Sequence, residues 1–273
     1  MTTEIKVLKP KRPFSASFGL LVQFRELLWV WTGREIKGRY RQSALGFGWA
    51  LVQPVFQMVV ISIIFGGFLK VSSGDVPYPV FAYAAILPWS FFSGSINSAV
   101  PSILQNMQLV TKIYFPREIL PLSAIFSRLV DFTVASLVFI GLLWWYKIPL
   151  HSTIMYVPFL LLLQIVLAAG IGLLGAAVSV FLRDISFAIP LAMQLWMYAS
   201  PVIYPIDQVP ERWRWLYMLN PMASIIDSYR QVILNGQPPD FGYLSIAIVI
   251  AVILFVAAYW YFKRLEMAMS DII

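Results

Sequence analysis

The chain has 273 residues, 60% hydrophobic and only 12% charged, with a mean hydropathy of +0.77; a soluble domain carries about 25% charged residues, so this is an integral membrane protein. The 20 Lys and Arg against 13 Asp and Glu give +7, an excess that marks the cytoplasmic edges of a membrane chain before it marks nucleic acid, and DNA and RNA binding are set aside. The absence of Cys excludes disulfides, thiolate metal sites and thiol catalysis, and the single His151 leaves little for metal or acid–base chemistry.

Residues 1–43 read as a cytoplasmic tail. The first 13 are basic and proline-broken, without the apolar core of a signal peptide. Between Ser17 and Gly33, Leu20, Phe24, Leu27, Leu28 and Trp31 recur at helical spacing while Gln23, Arg25 and Glu26 face elsewhere. This predicts an amphipathic helix along the cytoplasmic interface, fit equally to anchor the chain or to bind a partner. The basic run that follows carries Arg34, Lys37, Arg39 and Arg41 at headgroup level. Gly33-x4-Gly38 imitates the start of a P-loop, but Arg39-Tyr40 stands where Lys-Ser/Thr is required and no strand precedes it. With no Walker A sequence elsewhere, the chain is not expected to hydrolyse ATP by itself.

Charge-free stretches of about 20 apolar residues cross roughly 30 Å of hydrocarbon. They predict six spans at residues 44–69, 78–100, 119–146, 152–182, 185–206 and 241–262, a transmembrane domain over 44–262 followed by a cytoplasmic tail, 263–273. An even number puts both termini on one side. Lys6, Lys9, Lys11, Arg12, the basic run, Lys112, Arg117, Arg183, Lys263 and Arg264 make that side cytoplasmic, against Lys70, Lys147, Arg212, Arg214 and Arg230 outside.

The inside loop Ser102–Glu118 is too polar to span and predicts a short cytoplasmic helix stopped before Pro116. It suits either a solvated connector or a surface that receives force from a second protein. In the third span, Arg128 and Asp131 lie three residues apart and can neutralise each other on one helix face. A structural pair is the reading favoured over proton coupling, since no other acidic residue falls within the six spans. His151 reads as a solvent-facing loop residue. In the fourth span, Ala168, Gly172, Gly175, Ala176 and Ser179 form a small-residue stripe for close helix packing, inside one subunit or at a dimer seam.

Prolines 201, 205 and 210 predict an irregular end to the fifth span. A seventh span over 213–234 would place Arg214, Asp227 and Arg230 in lipid, at roughly 2.5–3.5 kcal/mol per central charge. The segment reads instead as a re-entrant pair of short helices kinked at Pro221 and sheltered by protein. Aromatic residues reach 16% and extend beyond the interface belts. Trp89, Phe92, Trp196, Tyr198 and Tyr204 could present ring faces to a sliding sugar, with lipid anchoring as the plainer role.

Read together, several short stretches resemble the ABC-2 type permeases that export polysaccharides, the O-antigen, capsule and teichoic-acid transporters. They are Arg34-Glu35-Ile36-Lys37-x-Arg39-Tyr40-Arg41-Gln42-Ser43-x-Leu45-Gly46-x-x-Trp49 with Pro54, Lys112-Ile113-Tyr114-Phe115-Pro116-Arg117-Glu118-Ile119-Leu120-Pro121, and Phe181-x-Arg183-Asp184-Ile185. Ser200-Pro201-Val202-Ile203-Tyr204-Pro205 and Asn220-Pro221-Met222 with Tyr229-Arg230 complete the set. They run in family order over about residues 20–262; the proline-rich residues 10–13 match no part of the pattern.

The resemblance implies a homodimeric channel in the inner membrane, with two separate cytoplasmic ABC ATPases docked beneath it that bind the ATP and Mg. It implies a glycan cargo on an undecaprenyl-diphosphate carrier and contact with membrane lipids. By the same analogy Gln105, Asn106, Lys112, Tyr114 and Arg117 would meet the ATPase, and spans one and five would line the channel. The re-entrant stretch would shape its outer mouth, and Arg34, Lys37, Arg39 and Arg41 would meet the carrier's diphosphate. The permease itself performs no bond chemistry. The rival readings are a permease of this type for small drugs or lipids, and a proton-coupled secondary transporter. A membrane-embedded enzyme fails for want of a polar catalytic cluster.

Overall fold

The computed structural model describes residues 23–41, 45–74, 76–113 and 115–272, with side chains to 266. These residues form helices and no strand. Helix α1, Arg25–Tyr40, runs through the basic stretch. Gly46, at φ +50°, opens a tight 3₁₀ turn, Gly46–Gly48, that leads into α2, Trp49–Ile61, and α2 widens into a π-helical end, Ser62–Phe68. Next come α3, Tyr78–Ala99, two short helices, α4, Ser102–Gln105, and α5, Met107–Lys112, and then α6, Ile119–Trp145. A 3₁₀ turn, Ser152–Tyr156, leads into α7, Val157–Phe181, followed by α8, Ile185–Tyr198. The chain ends with α9, Glu211–Tyr217, α10, Pro221–Ile233, and α11, Phe241–Ile272.

Helix α3 is the axis of the bundle. Of its apolar window 78% is buried, against 17% for the Gly46–Phe68 segment, which therefore lies at an edge. α2, α6, α7, α8 and α10 all pack on α3, and α11 packs along α7. The small-residue stripe of α7 makes these contacts close. A Cβ on Gly175 would stand 2.6 Å from Val100, one on Gly172 would stand 2.9 Å from Ala99, and Ser179 Oγ donates to the Val100 carbonyl at 3.0 Å. The stripe is thus a seam inside one chain, which decides between the two places the sequence leaves open.

Five helical segments among the described residues are long and apolar enough to cross a membrane: Gly46–Phe68, Tyr78–Ala99, Ile119–Trp145, Ser152–Phe181 and Phe241–Glu266. The stretch expected to span 185–206 does not form one helix. α8 stops at Tyr198 after 14 residues, about 21 Å of rise, because Pro201 and Pro205 cannot continue the backbone hydrogen bonds. The 213–234 segment breaks where expected. Asn220 caps α10 by accepting from the Met222 N–H at 3.1 Å, with Pro221 in the first turn. The single helix expected in the cytoplasmic loop is two, broken at Asn106. Of the helix expected over 17–33, the described part begins at Arg25 and runs on to Tyr40; residues 17–22 lie outside the described residues.

His151 departs from expectation. It is half-buried, its Nδ1 has no hydrogen-bond partner, and its ring lies where a Cβ on Gly236 would stand 2.5 Å away. Gly236, at φ +64°, is therefore required twice, for its backbone and for this contact.

At Gly170 a Cβ would meet the Phe255 backbone, 3.0 Å from N and 3.1 Å from Cα. Gly170→Val is expected to cost about 1–3 kcal/mol through forced separation of α7 and α11. Gly141→Ala, in α6 with open space around it, is expected to be neutral or to stabilise by up to about 1 kcal/mol. Thermal unfolding in detergent measures both.

Candidate functional site

Polar side chains inside this apolar bundle gather in three places. The first is the elbow between α8 and α10. Where α8 stops, the carbonyls of residues 199–204 lose helical partners, and in a bilayer water cannot replace them. Arg230, only 5% exposed, takes that role. Its Nη1 donates to Pro201 O at 2.5 Å and Tyr204 O at 3.3 Å, its Nη2 to Val202 O at 2.8 Å, and its Nε to Phe81 O at 3.4 Å. The guanidinium also lies 3.6 Å from the Phe81 ring centroid.

Asn220 Nδ2 donates to Ala199 O at 3.1 Å and Ser200 Oγ at 2.9 Å, and its Oδ1 accepts from Trp196 Nε1 at 2.9 Å. Tyr78 Oη donates to Ile203 O at 2.6 Å. Two stretches twenty residues apart in sequence, Ser200–Pro205 and Asn220–Arg230, are therefore one device. Tyr204 Oη lies 3.0 Å from Tyr217 Oη and donates to Tyr198 O at 3.2 Å.

The second place is an open groove among the end of α1, the first turns of α2, α3 and α6. A cavity of about 570 Å³ is lined by Trp49, Gln53 and Gln57 from α2, Trp89, Ser93 and Asn97 from α3, and Arg128 and Asp131 from α6, with Arg39 and Tyr40 at its edge. A second cavity of about 360 Å³ continues it toward α4, between Arg34, Glu35 and Arg39 of α1, Asn97 and Ser98, and Gln105 and Asn106. Arg39 and Asn97 border both. The Asn97 Oδ1 is buried without a partner, which leaves an acceptor for a donor from a ligand or water in the groove.

Asp131 is the centre of the charge network. Arg39 Nη1 reaches its Oδ2 at 2.6 Å and Arg128 Nη1 the same oxygen at 3.2 Å, while the Tyr40 hydroxyl donates to Oδ1. Arg39 Nη2 also donates to Ser127 Oγ at 2.8 Å, and Arg128 Nη2 and Nε to Ser98 Oγ at 2.6 and 3.0 Å. Burial first, then the bond to Asp131 and its charge, pushes the Tyr40 hydroxyl above its ordinary pKa, so it remains a donor. The Arg128–Asp131 pair expected within one helix is thus part of a four-residue cluster spanning α1 and α6.

The third place is where the loop after α5 is clasped to α11. Glu118, fully buried, pairs with Lys263 at 2.6 Å, and Lys263 pairs with Glu266 at 3.0 Å. Arg117 donates from its backbone N–H to Glu266 Oε1 at 3.2 Å and from Nη1 to the Glu266 carbonyl at 3.1 Å.

The residues singled out from sequence fall into three groups. Arg34, Arg39, Gln105, Asn106, Trp89, Arg128 and Asp131 meet around the groove. Lys37, Arg41 and Lys112 are exposed, Arg34 lies 4.4 Å from the Trp31 ring centroid, and Arg117 is held against α11. Phe92 does not reach the groove; it is wholly buried, edge-on to Trp196 at 5.3 Å. Trp196 and Tyr204 belong to the elbow, Tyr198 is exposed at the end of α8, and Tyr114 lies outside the described residues. Sequence reasoning passes over Gln53, Gln57 and Asn97. Gln53 and Gln57, four residues apart in an otherwise apolar span, are the signal that could have found them.

Residues 26–234 match the family model for the ABC-2 type transporter. The chain is 31% identical over 242 residues to an O-antigen export system permease protein, RfbA, of Myxococcus xanthus, covering 87% of this chain and 92% of that protein. It is 28% identical over 249 residues to the protein of the same name in Klebsiella pneumoniae, covering 91% and 95%. It is 24% identical over 235 residues to the polysialic acid transport protein KpsM of Escherichia coli, covering 83% and 89%.

Arg230→Met would strand several buried carbonyls, each at about 1–3 kcal/mol. The expected result is a lower melting temperature and faster limited proteolysis between residues 199 and 217, with Arg230→Lys intermediate because it keeps the charge and loses the fork.

Proposed function

We propose that this chain, which belongs to the ABC-2 type transporter family, is the membrane-embedded permease subunit of an ATP-driven exporter of a surface polysaccharide. The names of its relatives support the cargo class. The observation that carries the reading is the groove. Glutamines, an asparagine and tryptophan faces line an open cavity on the sparsely buried α2, and polar groups at that depth are costly against lipid but suited to the hydroxyls and apolar faces of a sugar chain.

In this reading the chain crosses the cytoplasmic membrane six times, the sixth crossing being α8 together with its elbow. α9 and α10 dip back from the outer side, and both termini are cytoplasmic. Residues 44–262 make the transmembrane unit, between the flanking tails 1–43 and 263–273. A second copy covers the groove and completes the path. Two ATPase subunits dock below and bind the ATP and Mg; their closure pushes α4 and α5 at Gln105, Asn106 and Lys112. Rigid-body movement of the spans then opens the channel alternately to each side. The cargo rides on an undecaprenyl-diphosphate carrier whose phosphates meet Arg34, Lys37 and Arg41. Arg39 is instead engaged by Asp131 and Ser127 and takes no part in holding the phosphates. The chain itself breaks no bond.

A tagged copy purified from its native membrane is expected to bring down a subunit bearing a Walker A sequence; repeated recovery of the chain alone would refute the reading. A deletion strain is expected to lose its surface polysaccharide with drug resistance unchanged. The opposite pattern would assign the groove to small drugs or lipids.

A further inference from the structure

α1 is tied to the bundle by polar contacts at its end, where Arg39 and Tyr40 both grip Asp131; midway along it, Arg34, Glu35 and Gly38 line the smaller cavity opposite Gln105 and Asn106. Arg128 alone suffices to neutralise that carboxylate, three residues away on the same helix. The second guanidinium is surplus to neutralisation, and it comes from a different helix. Arg128 in turn holds Ser98 of α3, so one carboxylate joins α1, α6 and α3. The Arg39 and Asp131 side chains are 21% and 19% exposed, which shields their attraction from the screening that weakens surface pairs. Beyond Gly46 the chain enters α2, whose Gln53 and Gln57 line the larger cavity together with Asp131.

We infer that Asp131 is a positioning residue for export: through Arg39 and Tyr40 it transfers displacement of α1 to α6 and to the wall of the groove. The inference rests on the exporter reading above. Asp131 touches neither ATP nor the reacting atoms. Its loss disconnects hydrolysis from transport while leaving both assembly and hydrolysis in place.

The test uses the full chain co-purified with its ATPase subunit and reconstituted in proteoliposomes, with export and ATP hydrolysis measured together. The variants are Asp131→Asn, Asp131→Glu, Arg39→Gln, and Arg39→Gln combined with Asp131→Asn. Arg39→Gln leaves the Arg128–Asp131 pair intact, so it reads the α1 link without stranding a charge. Asp131→Asn and Arg39→Gln are each expected to retain the ATPase subunit and its hydrolysis while export per ATP falls by about tenfold, within the range of coupling between linked sites. The double variant is expected to be no worse than either single, as for two residues acting as one link, and Asp131→Glu is expected to recover most export.

Unchanged export per ATP in both single variants would overturn the inference. So would defects that multiply in the double variant, or a loss of melting temperature with normal export per ATP, the mark of a purely structural pair. A defect in Asp131→Asn that Arg39→Gln does not share would point to proton transfer and equally overturn it. Failure of the unaltered chain to recover an ATPase subunit would instead remove the exporter reading itself, and this inference with it.

Discussion

Inside a bilayer a helix that stops early leaves carbonyls that only protein can satisfy, and this chain stops a helix at Tyr198. One guanidinium resolves the problem. Arg230 reaches carbonyls at 81, 201, 202 and 204, and by doing so fixes where α8, α10 and α3 meet. A lysine could not divide itself so, since it lacks the planar fork of donors. The elbow is thereby a rigid joint in a place where an unassisted chain would be unstable.

The two ends of the molecule solve the same physical problem with different chemistry. At the elbow, a cation satisfies backbone oxygens; at the opposite end, carboxylates gather cations. Asp131 collects Arg39 and Arg128, and Glu118 holds Lys263. Between them Gln164 donates to the Pro88 carbonyl at 2.5 Å and accepts from Tyr229 at 3.4 Å, tying the proline in α3 to α7 and α10. The apolar core fills the space, but these polar ties decide how the helices are arranged around α3. Removing one partner from such a tie costs more than the tie contributes, because the other is left unpaired in low dielectric.

Much of this is legible in the sequence, for a stated reason. Five spans follow from hydropathy because charges are few within them, Arg128 and Asp131 of α6 being the exceptions, and their observed limits fall within a few residues of the expected ones. The family is legible because its short motifs recur in order. The end of α8 is less so: apolar residues continue to Ile206, and hydropathy does not register that Pro201 and Pro205 deny the backbone its bonds. The partners of Asp131 are hidden further, since Arg39 and Tyr40 lie about ninety residues earlier and no local spacing signals a long-range pair. His151 illustrates the opposite error. A polar residue beside a proline suggests a solvent-facing turn, yet Gly236 brings the backbone against its ring.

The last helix runs on past its apolar part. Residues 241–262 carry no charge and rise about 33 Å, close to the roughly 30 Å of hydrocarbon, and the helix continues through Lys263, Arg264 and Glu266. A thinner bilayer is met by tilt or by local thickening. With Lys263 and Glu266 clasped to the loop at Arg117 and Glu118, the helix cannot slide along its own axis to compensate. A change in bilayer thickness would therefore have to be met by tilt of this strut, and tilt bears on α7 through the close Gly170–Phe255 contact.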